Sequence, residues 1–116
     1  MLPAAHRLHR AADFTEVVRR GRRASRPLLT VHLLADGDPA APPRAGFVVS
    51  KAVGGSVDRH RTARRLRHLL LPRLALLDEG TRVVVRAQPG AGAAPSSALA
   101  ADLDEALVAA SRPRTR

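Results

Sequence analysis

The sequence predicts an α+β fold, an α/β two-layer sandwich. Three observations carry this: the hydrophobic period changes along the chain in the order helix, strand, strand, helix, strand, helix; no segment repeats at a fixed interval; and 116 residues, 45% of them hydrophobic, suffice for one compact core. A single domain spanning 1–116 is expected, with 1–10 and 111–116 flexible. Ala, Leu and Val supply nearly all of the core, since Phe14 and Phe47 are the only aromatics.

The first helix is predicted from Asp13 to Gly21. Asp13 can cap it, Glu16 completes a capping-box pattern, and Phe14, Val17 and Val18 form one apolar stripe. Arg19, Arg20, Arg22 and Arg23 cluster at its end. Leu28 to Leu34 then reads as a strand, Asp36 to Pro43 as a loop, and Arg44 to Ser50 as a second strand buried on both faces. After a turn at Gly54 and Gly55, Ser56 is expected to cap a helix running to Leu71, which Pro72 ends or kinks. Thr81 to Ala87 is a third strand, central because Val83, Val84 and Val85 are consecutive and β-branched. Gln88 to Pro95 is a connection. The last helix starts at Ser96 or Ser97, with Leu99, Leu103 and Leu107 on its apolar face and Asp102, Asp104 and Glu105 opposite, and a loose tail is expected from Ser111 to Arg116.

Twenty basic residues against ten acidic ones give a formal charge of +10. A G+C-rich genome explains the preference for arginine over lysine, but not the excess of cations over anions. Self-repulsion of this size points to a polyanionic partner. With no cysteine, the chain has no disulfide and no thiol chemistry. No apolar run reaches the roughly 18 residues of a membrane span and no signal peptide is evident, so a cytoplasmic location is expected.

The charge concentrates on the fourth element. At about 100° per residue, Ala63, Leu66, Leu69 and Leu70 fall in one arc facing the sheet. Arg61, Arg64, Arg65 and Arg67, with His60 and His68, occupy the rest, and no acid interrupts 59–68. Like charges at i, i+4, such as Arg61 and Arg65, destabilise a helix by about 0.2 to 0.5 kcal/mol per pair. Phosphates offset this, because a guanidinium fork fits them and each neutralised phosphate releases counterions.

Two stretches then resemble a known family. Arg44-Ala-Gly-Phe-Val-Val-Ser-Lys51, followed by Gly54-Gly-Ser-Val-Asp-Arg-His-Arg-Thr-Ala-Arg-Arg-Leu-Arg67, is similar to the bacterial ribonuclease P protein subunit, and the likeness extends back to Leu8 and Asp13-Phe14. Arg59, Arg61, Arg64 and Arg67 match the family's helix signature, whereas His60 stands where Asn is usual and Ala63 where Lys is usual.

The resemblance implies an αβββαβα order with a left-handed crossover, as in a domain of elongation factor G. It also implies a 1:1 complex with a catalytic RNA that holds the Mg2+ ions, with neither an organic cofactor nor an obligate protein partner. The RNA would be gripped by Arg59, His60, Arg61, Arg64, Arg65, Arg67 and His68, while the 5′ leader of precursor tRNA enters a cleft built by Phe14, Val18, Val31, Ser50 and Lys51. The protein then assists a phosphodiester hydrolysis that its own side chains do not perform. Phe14 is the one matching aromatic of that cleft, so leader-bearing and mature tRNA should be told apart less well than by a relative with a full set of rings.

A protein-only nuclease would need converging carboxylates or histidines, but Asp36, Asp38, Asp58, Asp78 and Glu79 are scattered. His6, His9, His32, His60 and His68 read as ordinary residues and not as ligands. A ribosomal or ribosome-assembly RNA-binding protein would share the charge and the basic helix, and differs only in motif order.

Overall fold

The computed structural model describes residues 3–35 and 37–111. Helices α1 (Ala11–Arg20), α2 (Ser56–Leu70) and α3 (Ser96–Ser111) surround a sheet of β1 (Arg22–Ser25), β2 (Leu29–Leu34), β3 (Arg44–Val48) and β4 (Arg82–Ala87). The order is αβββαβα, and the strands lie as β1-β2-β4-β3. β1 pairs antiparallel with β2, and β2 with β4, while β3 runs parallel to β4, so the β3–β4 connection crosses over through α2.

β4 is central, as its three consecutive valines predict, and all three are fully buried. Val83 and Val85 join Leu29, Val31, Leu33 and Ala45 in the main core, closed by Leu66 and Leu70 of α2 and Leu99, Leu103 and Ala106 of α3. Val84 points the other way. With Leu8, Val17 and Leu34 it makes a smaller cluster that seats α1 on the opposite face of the sheet.

β1 is the strand absent from the six-element reading. Its Arg-Arg-Ala-Ser sequence buries only Ala24, so its hydrophobic pattern is too thin to announce a strand; pairing with β2 makes it one.

The caps also differ from expectation. α1 starts at Ala11, ahead of Asp13, and no side chain caps it. Asp13 and Glu16 instead bind the guanidinium of Arg82, at 3.1 and 2.7 Å, because a cation with a side chain only 10% exposed requires partners more than a helix end in water does. For α2 the N-cap is Gly55, and Ser56 is already helical. Gly54, at φ 152°, adopts a backbone conformation that favours glycine. Pro72 opens a short 3-10 stretch, Leu71–Leu76, that prolongs α2 in altered form.

The start of the chain is held and not loose over its described part. Leu8 N donates to Ala45 O at 2.9 Å, His6 Nδ1 lies 2.9 Å from Pro43 O, and Leu8 is buried. Ser111 ends α3, and the rest of the expected tail, 112–116, lies outside the described residues. No described helix is long and apolar enough to cross a membrane.

Candidate nucleic-acid interface

α2 divides into sectors. Thr62, Leu66 and Leu70, each four residues apart, are fully buried against the core. Leu69 and Ala63, expected beside them, are only half-buried. His60, Arg61, Arg64 and His68 face outward and are exposed, while Arg59 and Arg67 lie half-buried on the flank towards β3. Arg61 bonds Asp58 at 2.9 Å in an exposed pair of little energetic weight. Arg59, Arg64 and Arg67 have no ion-pair partner among the described residues.

Arg65 departs from the expected group. Its guanidinium donates to the carbonyls of Ala91 and Ala94 and to Ser96 Oγ at 3.2 Å, tying α2 to the entry of α3. The sequence spacing places it on the basic arc, but its hydrogen bonds are internal. It stands in for no missing cation of the signature.

The acids of α3 are engaged internally as well. Asp104 makes a two-pronged pair with Arg73, at 2.6 and 3.2 Å, and this holds its carboxyl below the ordinary carboxylate value. Asp102 accepts from Leu28 N at 2.9 Å, and Glu105 pairs with Arg26 at 3.2 Å. α3 therefore braces the core while α2 carries the unneutralised charge.

On the other face of the sheet, α1 covers only one end. Phe14 and Val18 are half-buried on its underside, packed against the smaller apolar cluster. Ser50 and Lys51 are exposed where the chain leaves β3, at the end where Val48 pairs with Arg86. Val31 is not there. It is 0% exposed and belongs to the main core on the far side of the sheet, so it cannot meet a ligand in the cleft.

The neighbour one residue on faces the α1 side of the sheet. His32 pairs with Arg23 and Val84, residues that share the α1 face. Burial, then the nearby Arg86 and Arg23, push its imidazole below the ordinary value of 6.5, and Nδ1 is buried without a hydrogen-bond partner. Beside it Thr30 Oγ1 receives Gln88 Nε2 at 2.8 Å. Arg23, His32 and Arg86 thus lie together on the α1 face of the sheet, where no site residue is expected from the sequence. The available signal was strand alternation: Leu29, Val31 and Leu33 mark one face, Thr30 and His32 the other.

Among the described residues no three His, Asp or Glu side chains come together as a metal site. A basic helix and a polar sheet face are surfaces that a polyanion can meet.

The family model for ribonuclease P matches residues 2–111. The chain belongs to the ribonuclease P protein family. It is 60% identical over 114 residues to the ribonuclease P protein component of Streptomyces avermitilis, covering 92% of this chain and 93% of that one. It is 49% identical over 120 residues to the component from Thermobifida fusca, covering 98% and 82%. Among solved structures, the ribonuclease P protein of Staphylococcus aureus superposes with a TM-score of 0.79 at 20% identity, over 91% of this chain and 95% of that one. The Thermotoga maritima protein gives 0.74 at 18%, over 94% and 98%. These two share the fold, and the relatives at higher identity carry the family. As a ribonuclease P protein the chain is an RNA-binding component of an endoribonuclease of tRNA processing.

Proposed function

We propose that this ribonuclease P protein docks the outer face of α2 on the catalytic RNA, in a 1:1 complex, and lays the 5′ leader of precursor tRNA across the half-covered face of its sheet. Cleavage falls to the RNA and its Mg2+ ions. Among the described residues no three His, Asp or Glu side chains converge as a site for such ions. Its contribution is positioning: Arg59, Arg61, Arg64 and Arg67, with His60 and His68, meet phosphates of the catalytic RNA, while Arg23, Arg86 and Lys51 hold the leader backbone beside Phe14, Val18 and His32. Its place of work is the cytoplasm.

The observation that carries this reading is the separation of charge: α3 uses its acids on Arg73, Arg26 and Leu28 N, whereas Arg59, Arg64 and Arg67 on α2 are left for an outside anion. The test is reconstitution. Purified protein, transcribed ribonuclease P RNA and precursor tRNA are combined at low Mg2+, and removal of the 5′ leader is expected to accelerate when protein is added. An unchanged rate would leave only general RNA binding.

A further inference from the structure

α2, prolonged by Leu71–Leu76, runs beside α3 in the same direction. Arg65 meets Ser96 and Arg73 meets Asp104, each pair 31 residues apart. The same offset brings Leu76 and Leu77 near the level of Leu107 and Val108, and Asp78 and Glu79 near the end of α3. Leu76 and Val108 are 79% and 57% exposed, far from the usual state of a large aliphatic side chain. Pro72 and Ala75, beside Leu76, are exposed as well, and Val108 borders a hollow of about 320 Å³ with Ala109 and Arg26.

The charge on this face is reversed. In a molecule of formal charge +10, α3 carries three acids and no base, and 74–81 carries two acids and no base. Asp102, Asp104 and Glu105 are engaged internally, but Asp78 and Glu79 are exposed and make no ion pair among the described residues. Their turn is fixed. Gly80, at φ 79°, donates to Ala41 O at 2.8 Å, and a Cβ on it would lie 2.8 Å from Gly37 O, so the chain is held tightly just after the two carboxylates.

Unpaired carboxylates repel phosphate, so this face does not extend the surfaces assigned to RNA. An exposed aliphatic patch beside fixed anions calls for a ligand that is both apolar and cationic. A second copy meeting the patch about a two-fold axis would set Asp78 and Glu79 of both chains together, which disfavours that occupant.

We propose that this face docks a segment of another protein in which aliphatic side chains are flanked by lysine or arginine, the aliphatics on Leu76 and Val108 and the cations on Asp78 and Glu79. α3 packs on the side of the sheet away from α1, so docking leaves the polar sheet face free.

The probe is a synthetic amphipathic helical peptide of leucine and lysine, titrated into the 15N-labelled full chain. It is expected to move the Leu76, Asp78, Glu79 and Val108 amide resonances. Leu76→Ser/Val108→Ser, at exposed positions, should keep the melting temperature and weaken binding by about tenfold. Asp78→Asn/Glu79→Gln should weaken it by about threefold and flatten its salt dependence. Equal binding of the peptide with glutamate in place of lysine overturns the proposal, as does binding that both double variants leave unchanged. Two other occupants give their own signs. Dimerisation in sedimentation that Leu76→Ser/Val108→Ser abolishes assigns the face to a second copy, and peptide binding seen only after deletion of 112–116 assigns it to the chain's own end; either overturns the proposal. In the host cell, Val108→p-benzoylphenylalanine should photo-crosslink a protein whose attached peptide carries lysine or arginine among aliphatic residues. An RNA adduct, or no adduct, overturns the proposal.

Discussion

His32 is a buried titratable side chain on the α1 face of the sheet. It is 6% exposed, and its lowered pKa keeps it neutral at pH 7, so the native state takes up a proton less readily than the unfolded chain. Its contribution to stability is full above 6.5 and is lost as pH falls through the lower folded value, which predicts an acid-side decline in melting temperature that flattens in His32→Phe. The proposed leader contact gives the same position a second test. Replacing His32 by Ala should reduce the preference for leader-bearing over mature tRNA in holoenzyme binding assays, and His32→Tyr should raise it by about fivefold or more, the value of one stacked base. Parity along β2 made this legible: Val31 and His32 are adjacent, yet only the polar one can face the cleft. Arg65 was not legible, because its carbonyl partners at Ala91 and Ala94 are brought to it by tertiary structure. Arg65→Lys should lower stability by about 1 to 2 kcal/mol in urea denaturation, since an ammonium cannot reproduce the fork, and should weaken binding of the catalytic RNA less than Arg64→Ala does.

At the scale of elements, α1 is the part held most lightly. It rests on a small apolar cluster and on the Asp13–Arg82–Glu16 bridge, whereas α2 and α3 share the main core. Arg82→Met should destabilise the protein by about 2 kcal/mol, below the roughly 3 to 5 of fully enclosed pairs because both carboxylates reach water. Opening of α1 should precede global unfolding in hydrogen exchange of that variant. Hydrogen bonds from Arg82 and then Arg20 hold the Glu16 carboxyl below its ordinary 4.5. The stability it confers is therefore complete above 4.5 and disappears as pH drops through the lower folded value; Glu16→Gln should remove that part of the acid transition. Long periodic elements such as α3 and β4 could be read from the sequence. β1, with one buried side chain, and the true start of α1 could not, because strand pairing and a buried arginine decide them.

For the whole molecule, the order of elements and the basic helix follow from hydrophobic period and charge, while the pairing β1-β2-β4-β3 and the two-sided use of the sheet emerge only when β3 and β4 align in parallel. That topology gives a molecule of formal charge +10 two surfaces to which we assign RNA, α2 and the sheet face, and an α3 whose acids are turned to internal duties. The most direct test of the account is the salt dependence of binding to ribonuclease P RNA, compared between the unsubstituted chain and Arg59→Ala/Arg64→Ala/Arg67→Ala. If these guanidiniums meet phosphates, the slope of log affinity against log salt should shrink by about 2 to 3, or roughly 0.7 to 0.9 for each phosphate no longer neutralised. An unchanged slope, with the triple variant folded, would contradict it.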